Sequence, residues 1–176
     1  SRGLDNYYDE IETGGFASSF LITSILSPDY LDRTNDGPSL DDLGQYVDFS
    51  YSAISNEDDP TLGWRTPIQQ NRATFVPGNL SDPNDDKASF VYGRKEVYYP
   101  HHIDSKTHRA VFITSQRFDA RGVADRHGAP ETNSNRKLRR LDQIKVYTLA
   151  ELEANEENAE PLKTIHFTYK EDVAPQ

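Results

Sequence analysis

The residues best suited to chemistry lie in the segment LDRTNDGPSLDDLG, residues 31–44. Carboxylate, hydroxyl and amide oxygens recur in it at short spacing, and these are the ligands that Ca²⁺ accepts in proteins. Asp32, Thr34 and Asp36 take the first, third and fifth positions of a calcium-loop pattern, and Gly37 takes the sixth. The twelfth position is Leu43, where that pattern requires a bidentate Glu, so the match is partial.

This segment has two interpretations. Two further acids fall one or two positions before the twelfth and can close an irregular calcium cage, so the candidate calcium ligands are Asp32, Thr34, Asp36, Asp41 and Asp42. Alternatively, the segment is a polar turn in which Asp and Asn side chains bond their own backbone and Gly37 takes a positive φ. A second acidic stretch, SDPNDDK at 81–87, has no fixed ligand spacing.

Three histidines suggest a zinc site or hydrolytic chemistry. Imidazole is the usual nitrogen ligand of zinc, and His101, His102 and His108 lie on a predicted hairpin. Adjacent strand residues point to opposite faces, so at most one of His101 and His102 joins His108, with Asp104 to complete a site. The alternative is cross-strand polar pairs or exposed rings. A hydrolase or lyase that uses loop His and Asp residues depends on the same group.

Trp64, the single Trp, is the candidate aromatic residue of a carbohydrate-binding surface shared with several Tyr, or else it is a core residue. The sequence contains no G-x-S-x-G elbow and no phosphate-binding glycine loop. We therefore assign no catalytic residues and expect a non-enzymatic protein.

Strands must position these residues, because most apolar segments alternate with polar residues at a period of two. The predicted strands are FASSFLITSIL (16–26), QYVDFSYSAI (45–54), SFVYGRKEVYYPHHID (89–104), HRAVFITSQRF (108–118), LRRLDQIKVYTL (138–149) and PLKTIHFTY (161–169). The short connection SKT predicts a hairpin between the third and fourth of them.

The remaining segments are predicted loops and one short helix. Residues 55–89 contain several prolines, which disfavour long helices and central strands, and residues 119–137 are rich in Gly, Asp and Asn. AELEANEENAE (150–160) is a good helix former without a wide apolar stripe, so we expect a solvated helical turn at a hairpin tip. The predicted fold is all-β: a hairpin-rich antiparallel sheet or sandwich with long polar loops and at most one short helix.

The length of 176 residues fits one domain. We predict an irregular acidic leader at 1–15, a single β-rich domain or a segment of a larger β structure at 16–170, and a tail at 171–176. The sequence contains no Met, so we expect a processed product or a piece of a longer polypeptide. It contains no Cys, which excludes disulfides and thiolate metal sites.

The formal net charge is -10 at pH 7, and thirteen of the 29 acidic residues lie within residues 1–60. A negative field repels phosphate backbones and anionic lipid headgroups, so we expect no nucleic-acid partner. No apolar run reaches 18 residues, so we expect no membrane insertion. The expected partners are other segments of a parent polypeptide or neighbouring protein chains.

Several short segments carry a resemblance to a known class: GWRTPI, DDKASFVYGRKEVYYPHHID, and the sequence pattern L-x-x-I-x-x-Y followed by K-x-I-x-F-x-Y. The residues of this pattern are Leu141, Ile144 and Tyr147, then Lys163, Ile165, Phe167 and Tyr169. Over about residues 20–170 the chain resembles an internal region of large secreted bacterial YD-repeat, or Rhs-type, proteins, which include the B components of toxin complexes.

This resemblance implies a structural role at a secreted or cell-surface location, because such chains wind β-hairpins into a hollow shell around a toxic segment. The chain departs from the class in lacking a YDxxGR repeat and in being too short to form a shell. The leading hypothesis is a structural or interaction module of such a protein, with calcium at the Asp-rich loop as its candidate stabilising ion. The alternatives are a carbohydrate-binding β-sandwich and a hydrolase or lyase.

Overall fold

The computed structural model describes residues 11–55, 59–74, 88–133 and 135–169. Part of the predicted leader, the acidic stretch at 81–87 and the tail at 171–176 lie outside these ranges. In chain order the elements are β1 (Ser24–Leu26), β2 (Tyr46–Ala53), β3 (Thr61–Thr66), β4 (Val91–Glu96), β5 (Tyr98–Ser105), β6 (His108–Arg121), β7 (Lys137–Thr148), α1 (Leu149–Asn155), a 3-10 turn (Glu156–Asn158) and β8 (Lys163–His166). The all-β prediction is confirmed.

The strands form two sheets. One has six strands in the order β1-β2-β5-β6-β7-β8, and the other pairs β3 with β4. The pairs β1/β2, β3/β4, β5/β6 and β7/β8 are antiparallel. Within the described ranges, no helix is both long enough and apolar enough to span a membrane.

Two predicted hairpins are confirmed. Strands β5 and β6 pair with Asp104 opposite Arg109, which leaves SKT near the turn. Strands β7 and β8 pair across α1, which contains no buried residue and therefore sits on a hairpin tip as expected. The helix begins after Thr148, whose hydroxyl oxygen accepts the backbone N–H of Glu151 at 3.1 Å, and such a cap satisfies a donor that the first helical turn leaves open.

The first predicted strand is too long. We expected residues 16–26, whereas β1 pairs with β2 only from Ser24 to Leu26. Just before β1, the hydroxyl of Tyr51 donates to the carbonyl of Ile22 at 2.8 Å, so a side chain takes a backbone acceptor there. Upstream, Phe20 is 88% exposed, which shows that the apolar pattern alone does not hold this segment in the sheet.

The strand prediction also missed β3 and merged two strands into one. Strand β3 lies between Pro60 and Pro67, inside the predicted loop, and it forms because it needs only one partner, β4. The predicted strand at 89–104 divides at Val97, whose N–H donates to Pro60 and whose carbonyl accepts from Ile54. These bonds end β4 before β5 begins.

The chain divides into two compact units. Unit 1 comprises Ser1–Ser18, Ala53–Val97 and Gln116–Leu138, and unit 2 comprises Ser19–Ser52, Tyr98–Ser115 and Arg139–Gln176. The predicted limits of a single domain at 16–170 stay a prediction.

Unit 1 has a small core beside β3, in which the buried residues other than glycine are Ile54, Leu62, Arg65, Ala73, Val123 and Glu131. The Arg65 guanidinium donates to the carbonyl of Arg126 at 2.7 Å and to that of Gln69 at 3.1 Å. It also lies 4.3 Å from the centre of the Phe90 ring. A buried cation thus ties two loops to β3 through their backbone oxygens.

Unit 2 contains most of the six-stranded sheet but buries few side chains. Among its described residues, only Tyr46 and Asp42 are buried, at 6% and 3% exposure. Apolar side chains on and beside the strands remain accessible, including Ile25, Leu26, Ile113, Ile165 and Phe167. The sheet therefore leaves much apolar surface in contact with solvent.

Candidate functional site

The Asp-rich loop, residues 31–43, is closed at its base by a pair of backbone hydrogen bonds between Leu31 and Leu43. Inside it, the Asp32 carboxylate accepts the backbone N–H groups of Thr34, Asn35 and Gly37 at 3.2, 2.6 and 3.1 Å. Gly37 has a φ of 92°, as the polar-turn interpretation requires. One predicted calcium ligand therefore serves as a staple for its own turn.

Asp42 also holds the loop together through hydrogen bonds, and it is nearly inaccessible to solvent. Its carboxylate accepts the hydroxyl of Tyr30 at 2.7 Å and the backbone N–H groups of Arg33 and Ser39, each at 2.9 Å. The bond from the Arg33 N–H, with those from Tyr30 and Ser39, lowers the pKa of Asp42 from 3.8 to about 2 against the opposing effect of burial. Asp42 therefore stays ionised at every ordinary pH.

The other candidate ligands lie on the exposed side of the loop. Asp36 accepts the hydroxyl of Thr34 at 2.7 Å, and Asp41 accepts the hydroxyl of Ser39 at 2.6 Å. In the ranges that the structure describes, no three His, Asp or Glu side chains converge as a metal site would require. The loop holds its shape through its own carboxylates, and calcium binding to it stays a prediction.

The turn between β5 and β6 connects this loop to α1. The Lys106 ammonium donates to the carbonyl of Asp42, and the carbonyl of Thr107 accepts the N–H of Leu149 at 3.0 Å. Two consecutive residues of one tight turn thereby fix the loop on one side and the start of the helix on the other. The Asp-rich loop, the β5–β6 turn and the start of α1 are therefore held together within unit 2.

Residues of these elements line an open cavity of about 440 Å³. A volume of this size is within the range of pockets that hold small molecules. The Asp-rich loop, β2, the β5–β6 hairpin and α1 all contribute to the lining, which consists of Ser39, Leu40, Tyr46, Asp104, Arg109, Leu149, Leu152 and Glu153. We refer to it as the unit 2 cavity.

An ion pair forms one wall of the unit 2 cavity. Asp104 and Arg109 are directly opposite each other on β5 and β6, and the guanidinium donates to both carboxylate oxygens, at 2.7 and 2.6 Å. This bidentate geometry raises the pKa of Arg109 above its ordinary value, because hydrogen bonding to Asp104 favours the charged form. The pair holds both side chains in fixed orientations at the cavity surface.

The histidines do not adopt the predicted arrangement. His101 and His102 were expected on opposite faces, but their Nδ1 atoms are 3.0 Å apart and their rings meet edge to face. His108 instead bonds to the hydroxyl of Thr107 at 2.8 Å. The hydrolytic hypothesis stays a prediction.

His102 also lies near the cavity ion pair, with its Nε2 3.7 Å from an Asp104 oxygen. Burial lowers the pKa of His102 more than the Asp104 charge raises it. Its imidazole is therefore neutral at pH 7.

Trp64 lies in unit 1 on β3, opposite Gly93 of β4. A methyl group at Gly93 would come within 2.9 Å of the indole, so the ring covers that glycine closely. The side chain is still 38% exposed, which leaves part of the ring accessible to a ligand.

Sequence reasoning missed the unit 2 cavity. Tyr46 lies in a predicted strand to which the sequence assigned no role, and Asp104 was considered only as a zinc ligand. The hairpin register gave a usable signal, because a two-residue connection after Ser105 places Asp104 opposite Arg109.

No family model, curated protein or solved structure matches this chain.

Proposed function

We propose that this chain is a non-enzymatic structural and interaction segment of a large secreted or cell-surface bacterial protein of the YD-repeat, or Rhs, kind. In this role the sheet of unit 2 contributes a wall that packs against other segments of the parent polypeptide or neighbouring chains. The observation that carries the proposal is the incomplete burial of that sheet, in which Tyr46 is the only buried apolar residue among those described.

The exposed apolar side chains support this proposal. Ile25 on β1 is 52% exposed, and Ile165 on β8 is 39% exposed. Apolar side chains that are left in water gain free energy when another surface buries them. The same residues lie on the two outermost strands, so a neighbour on either side would cover them.

The backbone at the two sheet edges supports it further. Phe167 donates its N–H to Asp142 at 2.9 Å, so in the alternating ladder the N–H and C=O groups of Thr164 and His166 point away from β7. Each edge therefore presents donors and acceptors that another strand can pair with.

At the β1 edge the same reasoning applies. Phe49 donates to Thr23 at 2.8 Å and Ser27 donates to Gln45 at 2.9 Å, which leaves the backbone groups of Ser24 and Leu26 facing outward. Both ends of the sheet thus have the same capacity for extension.

Hydrogen exchange tests the proposal. We expect the amides of Thr164 and His166 to exchange rapidly in the 176-residue chain and slowly in the full-length protein purified from its source. The amides of Ile165 and Phe167 face β7 and are the internal control, since they should be protected in both samples. Equally rapid exchange of Thr164, His166, Ser24 and Leu26 in both samples would refute the proposed role.

A carbohydrate-binding role is the second candidate, because 38% of Trp64 is exposed beside Gly93. A sugar that stacks on the indole should change the fluorescence of this single Trp. A glycan array without a binder, together with fluorescence that no sugar alters, would exclude this role.

A further inference from the structure

Tyr46 presents an unused polar group at the unit 2 cavity. Its side chain is 6% exposed and lines the cavity, and its hydroxyl hydrogen-bonds to nothing within the described part of the chain. The hydroxyl oxygen faces the open cavity, where solvent reaches it, so it is available to bond to a ligand that enters there.

The charges around the cavity favour a cation. Of the three charged residues in the lining, Asp104 and Arg109 neutralise each other, and Glu153 is left as the net charge. Burial raises the pKa of Tyr46, and the carboxylates of Asp104, Asp48 and Asp42 raise it further. The hydroxyl of Tyr46 thus lies in a negative potential, where its oxygen is a suitable acceptor for a positively charged donor.

The rest of the lining is apolar. Leu40 comes from the Asp-rich loop, and Leu149 and Leu152 come from α1. The hydrogen bond that the Ser39 N–H donates to the Asp42 carboxylate fixes the chain next to Leu40. The bond that the Leu149 N–H donates to the Thr107 carbonyl fixes the start of the helix. These walls are in place before any ligand arrives, which reduces the ordering that binding requires.

The geometry points to the unit 2 cavity as a binding site for an aliphatic ammonium group. The ammonium donates to the Tyr46 hydroxyl oxygen and to the Glu153 carboxylate, while its methylene groups pack against the three leucines. Two sources carry this chemistry: a lysine side chain of another polypeptide segment and a free alkyl diamine. The inference does not depend on the proposed structural role, because it concerns an internal property of unit 2.

The first experiment is a titration followed by two-dimensional ¹H–¹⁵N NMR of the 176-residue chain. The probes are 1-aminobutane, 1-butanol and butyrate at constant ionic strength, which share their alkyl chain and differ in charge. We expect 1-aminobutane to give saturable shifts confined to residues 39–46, 104–109 and 149–153. We expect 1-butanol to bind about threefold more weakly or worse, since one exposed charge pair is lost, and butyrate not to bind.

The second experiment uses three variants with the same probe. Tyr46→Phe removes only the hydroxyl, and Glu153→Gln removes only the charge, so each should weaken binding by about threefold or more. Glu157→Gln is the matched control, because it makes the same charge change in the adjacent 3-10 turn outside the cavity lining. It should leave the affinity unchanged.

Shifts that spread over the acidic surface without saturating would overturn the inference. An equal loss of affinity in Glu153→Gln and Glu157→Gln would do the same, because general attraction by the net charge of -10 would then account for binding. A comparison of Nα-acetyl-lysine N-methylamide with 1,4-diaminobutane distinguishes the sources. Tighter binding of the first assigns the site to a lysine side chain, and tighter binding of the second assigns it to a free diamine.

Discussion

Two tyrosines of unit 2 should respond differently to loss of their hydroxyl groups. Tyr46 is 6% exposed and its hydroxyl is unpaired among the described residues, so Tyr46→Phe removes a polar group without removing a bond. Because water reaches the hydroxyl through the open cavity, this group carries no penalty for an unsatisfied buried atom, and we expect a change of less than about 0.5 kcal/mol in the free energy of unfolding. This limits the shift in melting temperature to about 2 °C for a chain of this size.

Tyr30 is the matched comparison. Its hydroxyl donates at 2.7 Å to the carboxylate of Asp42, so Tyr30→Phe leaves a buried anion with one bond fewer. We expect a lower melting temperature for this variant. Thermal unfolding followed by circular dichroism and urea unfolding would measure both changes at pH 7. Destabilisation by Tyr46→Phe, or an unchanged stability in Tyr30→Phe, would show that the hydrogen-bond assignments in this region are wrong.

Three further predictions concern charge, packing and metal. The pKa of Asp42 is lowered from its ordinary 3.8 to about 2, so this carboxylate contributes fully to stability above pH 3.8 and loses that contribution as the pH falls to about 2. In Asp42→Asn, the melting temperature should therefore depend less on pH across this range. A methyl group at Gly63 would lie 2.1 Å from the Val123 carbonyl, so Gly63→Ala should destabilise by about 1–3 kcal/mol in urea unfolding. Gly15→Ala, with no neighbour within 4 Å, should change stability by less than about 0.5 kcal/mol. The calcium hypothesis predicts a higher melting temperature in excess calcium than in excess chelator, and equal values would exclude it.

Local patterns predicted the parts of the fold that depend on sequence neighbours. Alternation and a short connection were enough for the β5–β6 hairpin, because a tight turn fixes the register of the strands that it joins. The helix at the tip of the β7–β8 hairpin was predictable from its composition, because its residues are good helix formers and are adjacent in the sequence. Its missing apolar stripe correctly indicated that none of its residues is buried.

The errors arose where distant residues decide the outcome. Residues 16–23 have a strand-like pattern, but the Tyr51 side chain bonds to the backbone there. Val97 ends β4 because Pro60 and Ile54 bond to it, and neither is a sequence neighbour. Periodicity shows which residues suit a strand and does not show which backbone groups are already occupied.

The candidate site was only partly accessible to sequence reasoning for a related reason. The spacing of Asp32, Asp36 and Asp42 fits calcium ligands and acceptors for backbone N–H groups equally well, because both roles require carboxylates that converge on a turn. What separates them is the direction of each carboxylate, and this depends on Tyr30 and the backbone of residues 33–39. The cavity needed the loop, the hairpin and α1 together, so no single motif could have revealed it.

The acidic loop and the exposed sheet have a common physical basis in unit 2. Among the described residues of unit 2 only Tyr46 and Asp42 are buried, so this unit gains little stability from a hydrophobic core and its loops must be held by other means. The carboxylates of Asp32 and Asp42 satisfy five backbone N–H groups between them, and Lys106 links Asp42 to the hairpin turn. Hydrogen bonds of this kind order a loop without covering the apolar faces of the strands. Unit 2 can thus keep a defined shape while its sheet stays available to another surface.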